Sequence, residues 1–293
     1  MKRLITGLAI ACAATFVMAV PAQAQIAPKN PVAAVKKQLV AGKGVKFSER
    51  TTLSTSFMRE IFVRRTGTIG FRKNGVAASD ITGKFNIKAS DLGEEAPELV
   101  KAMAKPERTI WLGKTSYLSG GIWAGVVPEG KTWFKMPNGP TGGLSGVVGQ
   151  PLNVAEPVTL RTMFKNAKAV KGGYAGKVTI RDIRKVSPWF RATLQLDKPS
   201  AKLLGAQISW RLSVDAKGLP TRLVTTYPFG VLDGTPKKNE TLSVDTRYSG
   251  WGTKVSIKAP TEDDATTKPK EGSEDTLEDI EILKGVNVGK IGG

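Results

Sequence analysis

Apolar positions along this chain fall into three regimes: one continuous run at the N-terminus, a few helical repeats, and long stretches of alternation. The continuous run covers residues 4–20. It follows Lys2 and Arg3 and ends in Pro21-Ala22-Gln23-Ala24. A charged start, an apolar centre and an Ala-x-Ala end mark an export signal, with Gln25 as the mature start. The run is short beside the roughly 20 residues that span a bilayer. Ala9-Ile10-Ala11-Cys12 is a degenerate lipoprotein box, so lipidation at Cys12 is the alternative to ordinary cleavage after Ala24. With cleavage there, the mature chain has no cysteine and no disulfide.

Downstream, residues 25–31 read as a linker. Pro31 then suits a first helical turn, with Val32, Val35 and Leu39 at helical spacing and Gly42 and Gly44 beyond its end. Residues 45–87 change to strand patterning, with Phe57, Ile61, Val63, Ile69 and Phe71 sharing one parity and Asn74-Gly75 as a hairpin turn. Residues 90–105, rich in Glu, Lys and Ala, predict a helix. Residues 108–136 predict short antiparallel strands turning at Gly113-Lys114 and Gly120-Gly121. The Gly/Pro-rich residues 137–151 predict a mobile flap.

A helix is expected over residues 157–169, with Leu160, Met163 and Phe164 on one face, then a strand over 174–183. Ser187-Pro188 is a helix-start signal, and Trp189, Phe190 and Leu194 form the apolar face after it. Ile208, Trp210, Leu212 and Val214 alternate with polar residues. A turn at residues 215–218 leads into strands over 219–227, 241–248 and 254–257. After Pro260 the composition becomes acidic and polar, which predicts a disordered, solvated tail over 261–293. Leu277, Ile280 and Leu283 could share one face of a short amphipathic turn there.

Composition narrows the chemistry. The 293-residue chain has no histidine, which excludes Ser-His-Asp hydrolysis and His-ligated zinc. No catalytic residue, metal ligand or cofactor motif stands out, although paired carboxylates could still serve a glycosidase. The net charge of +19, with acids concentrated in the tail, leaves a very basic body. An exported basic protein is drawn to anionic membrane surfaces and wall polymers, and export argues against nucleic acid. Residues 125–132 match the phosphate-loop pattern G-x-x-x-x-G-K-[ST]. That loop needs a helix behind it, whereas here Trp133-Phe134-Lys135-Met136-Pro137 is strand-like, so no nucleotide site is expected.

Several motifs carry a family likeness. They are Pro31-Val32-Ala33-Ala34-Val35-Lys36-Lys37, Tyr117-Leu118-Ser119-Gly120-Gly121-Ile122-Trp123, Gly130-Lys131-Thr132-Trp133, Trp210-Arg211-Leu212-Ser213-Val214-Asp215, Gly218-Leu219-Pro220-Thr221-Arg222 and the stretch from Asp245 to Gly252. With them, residues 31–260 resemble exported actinobacterial proteins similar to the LolA/LppX–LprG lipoprotein-carrier superfamily. The resemblance implies an α+β fold: a curved, half-open antiparallel β-barrel over residues 32–260, with helices covering the open side. It also implies a cavity between sheet and helices that takes acyl chains or lipidated partners. The chain departs from that pattern in its weak lipoprotein box, its basic charge and its acidic tail.

A lipid carrier needs an apolar concavity with polar groups at its mouth and no catalytic group. The expected lining residues are Val178, Ile180, Ile208, Trp210, Leu212, Leu223 and Val244, and the expected lid residues are Met163, Phe164, Trp189 and Phe190. Arg181, Arg184, Lys185 and Arg191 could meet headgroup phosphates at a rim. Two other readings stand beside this one: an envelope-associated interaction protein whose core is filled, and an enzyme acting on wall glycan.

Overall fold

The computed structural model describes residues 30–196, 198–229, 239–273 and 276. The export signal with Cys12, residues 25–29 of the linker, and Leu277, Ile280 and Leu283 lie outside the described residues.

Helix α1 (Pro31–Gln38) starts where proline and a cap coincide: the Asn30 side chain accepts from the Val32 and Ala33 N–H groups. Strands β1 (Lys43–Ser54), β2 (Arg59–Arg72) and β3 (Gly75–Phe85) come next. Asn74, at φ 70°, makes the predicted β2–β3 turn. Within the predicted 45–87 run, residues 55–58 form an additional turn. There the Thr55 Oγ1 accepts from the Phe57 and Met58 N–H groups, so Phe57 stands out at the tip rather than along a strand.

Of the helix expected over 90–105, only α2 (Glu98–Met103) forms, because Pro97 cannot sit inside a helix and so fixes where this one starts. Strands β4 (Glu107–Leu112) and β5 (Thr115–Gly120) lead to a 3₁₀ turn at Gly121–Gly125, where the pattern predicted a simple glycine turn. Then come β6 (Trp133–Pro137), α3 (Gly143–Val147), α4 (Pro157–Phe164), β7 (Lys168–Val170) and β8 (Gly173–Thr179). Helix α5 (Ile180–Val186) replaces the last four residues of the predicted 174–183 strand, because the Thr179 hydroxyl caps it by accepting from the Asp182 N–H. Helix α6 (Pro188–Leu194) begins as predicted, with Ser187 Oγ accepting from the Phe190 N–H. The remaining described elements include α7 (Ala201–Gly205), β9 (Gln207–Val214), β10 (Pro220–Pro228), β11 (Thr241–Lys254) and the short β12 (Ala265–Thr266).

All strands join one sheet in the order β12-β6-β5-β4-β3-β2-β1-β11-β10-β9-β8-β7. Every pairing is antiparallel except β12 on β6, and the two outer strands do not meet, so the barrel stays half open. Helices α4, α5 and α6 pack over its open side, giving the α+β class.

The tail departs from its composition. Residues 262–264 form a 3₁₀ turn, and β12 pairs with β6, so disorder does not begin at residue 261. The acidic side chains there face solvent while the backbone makes the pairing. Ile257 and Ala265 cover an apolar patch of Ile110, Tyr117 and Trp133 on the outer face of the sheet.

The predicted flap is the largest difference. Residues 139–150 are buried almost throughout and run inside the concave face. Thr51 Oγ1 donates to the Val148 carbonyl, Ser79 Oγ to that of Thr141, Ser116 Oγ to that of Pro140, and Tyr227 Oη to that of Gly149. These donors come from β1, β3, β5 and β10, so the segment crosses the hollow of the sheet. Small residues make this possible. A Cβ on Gly83 would lie 2.7 Å from the Ser145 Cβ, and one on Gly149 would collide with the Arg65 guanidinium.

Candidate functional site

The filled concavity determines where a ligand can sit. Three buried ionisable groups anchor the filling segment. Glu49 and Arg65 form an ion pair at 2.8 Å with both side chains almost fully buried, and Glu49 also accepts from the Gln150 N–H. The Glu107 carboxylate accepts from the Ser145 N–H at 2.6 Å and from Leu144 N–H and Trp123 Nε1–H at 3.2 Å each. Burial pushes its pKa up, although these donors work in the opposite direction. Gln150 links Thr225 on β10 with Thr246 on β11.

A small space among Val147, Ile180, Trp189, Phe190 and Ile208 holds about 10 Å³. That is room for one water at most. The expected lining residues Val178, Ile180, Ile208, Trp210, Leu212, Leu223 and Val244 are all buried. Six stand on strands of the sheet and Ile180 opens α5. Trp210 packs near Phe164, with ring centroids 5.9 Å apart, and borders an open groove of about 700 Å³ beside β8.

Of the expected lid residues, Met163 and Phe190 are fully buried, and Phe164 meets Tyr174 edge to face at 4.7 Å. Two of the four expected rim cations are engaged by backbone carbonyls. Arg191 donates to the carbonyls of Arg184 and Lys185, and Arg184 to that of Leu196. The phosphate-loop match leads into β6, not into a helix. Lys131 Nζ donates to the Asp263 carbonyl and the Thr132 N–H to that of Asp264, so these residues hold the C-terminal segment.

An open cleft of about 760 Å³ lies elsewhere, where the β2–β3 and β4–β5 hairpin ends approach α1, α4 and α6. Its apolar surface comes from Val76, Trp111, Val158, Val186, Trp189 and Ala192. Trp111 and Trp189 meet edge to face, with centroids 6.1 Å apart. Lys36, Arg72, Lys114 and Arg161 border it, and all four are exposed.

One acid lies among them, and it is occupied. Glu156 accepts from the Trp189 N–H at 2.9 Å, from Thr159 Oγ1 at 2.8 Å and from Ser187 Oγ. Burial pushes its pKa up despite those donors. Glu156 therefore fixes the start of α6, and with it the Trp189 indole, while the cations remain available at the border. Of the expected lining and lid residues, only Trp189 belongs to this cleft. The others, Arg72–Gly75 and Trp111–Lys114 among them, come together only through the sheet order.

No protein-family model matches this chain, and no curated protein matches it. Among solved structures, a LolA superfamily protein from Nitrosomonas europaea is similar at 9% identity, covering 74% of this chain and 89% of that chain with a TM-score of 0.30. The lipoprotein LppX of Mycobacterium tuberculosis is similar at 11% identity, covering 78% of this chain and 98% of that chain with a TM-score of 0.32. No helix among the described residues is long and apolar enough to cross a membrane.

Proposed function

We propose that this chain is an exported, non-enzymatic binding protein for an anionic amphiphile, a lipid or the acyl group of a lipidated partner. The observation that carries this reading is the cleft, which joins an apolar wall of two tryptophans and three valines to a border of four cations. Its volume falls within the roughly 300–1,000 Å³ of small-molecule sites. An acyl chain would lie on Trp111 and Trp189, and an anionic headgroup would face Arg72, Lys114, Arg161 and Lys36.

Titration of the protein with lysophosphatidylglycerol, monitored by tryptophan fluorescence, tests the reading. Saturation at one ligand per chain is expected, with affinity at least about tenfold weaker in Trp111→Glu, a change of about 1.4 kcal/mol. Equal affinity in that variant would reject the cleft as the site. A second reading, an envelope interaction protein with a filled core, draws on the small 10 Å³ space.

A further inference from the structure

The outer face of the sheet is divided in two. Over β4–β6 it is apolar and covered by the C-terminal segment. Over β9, β10, β11, β1, β2 and β3 it is polar and cationic, and no described segment covers it. Register places Arg211, Val224, Asp245, Arg50, Arg64 and Lys84 side by side in one row across these six strands. Arg222, Arg247, Ser48, Thr66 and Thr82 form the next row, and Arg108 on β4 at its edge is already paired with Asp80 through two hydrogen bonds.

Arg50 directly opposes Arg64, Arg64 opposes Lys84, and Arg222 opposes Arg247. Like charges directly opposite one another weaken a sheet, so folding alone gives no reason for this arrangement. One carboxylate serves the centre. Asp245 takes Arg222 at 2.7 Å and Arg50 at 3.8 Å, with Arg247 also acting on it. A single negative charge among three arginines leaves the row positive.

We propose that this cationic face docks a linear polyanion of the phosphodiester type, laid across the strands. At about 4.8 Å per strand the first row extends about 24 Å, a track suited to a chain rather than to one isolated anion. Guanidinium groups pair bidentately with phosphates, and the serine and threonine hydroxyls between them add donors. A flat membrane fits less well. The face is the convex side of a curved sheet, and the exposed large apolar residues among those described are Val40, Phe57 and Met58, which lie outside both rows. The cleft residues also lie outside both rows, so this site is independent of the amphiphile reading.

The test uses the mature chain and poly(glycerol phosphate), with phosphatidylcholine/phosphatidylglycerol vesicles in parallel. Binding to the polymer is expected to fall steeply with salt. Arg50→Gln/Arg64→Gln/Arg247→Gln is expected to weaken it at least about tenfold while Tm holds or rises, because like-charge pairs have been removed. Lys36→Gln/Arg72→Gln/Arg161→Gln removes the same charge from the cleft border and should leave polymer binding within about twofold. If the face triple variant does not fold, the single Arg64→Gln variant, with about threefold weaker binding expected, replaces it. Equal losses from the two triple variants would show a net-charge effect and overturn the proposal. So would vesicle binding stronger than polymer binding and lost on Phe57→Ser.

Discussion

Gly83→Ala tests whether residues 139–150 fill the concave face in solution. The added methyl would lie 2.7 Å from the Ser145 Cβ and collide with its hydroxyl. Carbon atoms pack comfortably at about 3.5–4.0 Å, so the overlap is about 1 Å. Rotating the serine moves its hydroxyl but not its Cβ, so the backbone of α3 or β3 must shift. Ser145 is also tied by its N–H to Glu107, which resists that shift. Overpacking of this size costs about 1–3 kcal/mol. Urea unfolding monitored by tryptophan fluorescence would show it as a lower midpoint at unchanged slope. Ser145→Gly in the same chain removes the obstructing atoms and should recover at least half of the loss. Wild-type stability in Gly83→Ala, or no recovery in the double variant, would refute the placement of the segment.

The same geometry sets three further outcomes. Arg65→Met leaves Glu49 buried without its partner and should cost about 3–5 kcal/mol in urea unfolding. The raised pKa of Glu156 means that the folded state holds its proton more tightly than the unfolded state does. Its contribution to stability is therefore full below the ordinary value of 4.5 and declines as pH rises through the raised folded value, so Glu156→Gln should flatten the stability profile in that window. A chain ending at residue 256 uncovers Ile110, Tyr117 and Trp133. It should lose about 2–4 kcal/mol and bind more of the dye ANS than the full chain does.

What the sequence revealed depended on whether local chemistry and tertiary position agreed. The alternation of Ile208, Trp210 and Leu212 gave β9, Asn74-Gly75 gave the β2–β3 turn, and Ser187-Pro188 gave the start of α6. Where one local signal masked another, the reading failed. The strand expected over 174–183 overlooked the cap formed by Thr179 and Asp182, which turns the chain into α5. The acidic composition after Pro260 described its side chains and not its backbone, which pairs with β6.

The segment after Pro137 read as a flap because glycine-rich composition signals a turn and a buried crossing equally. A usable signal was present: residues 138–155 carry no charge in a chain that is otherwise rich in it. A solvated loop would be expected to contain some. The cleft was the least legible feature. Arg72, Trp111, Arg161 and Trp189 are far apart in sequence, and only the sheet order and the docking of α4 and α6 bring them together.

Native mass spectrometry of the mature chain, purified from a host that exports it and extracted in parallel with organic solvent, tests the amphiphile-binding reading most directly. The expected result is one lipid-sized adduct per chain, recovered in the extract and lost in Trp111→Glu while the variant stays folded. An apo mass under conditions that preserve weak complexes, together with no uptake of added lysophosphatidylglycerol, would contradict it.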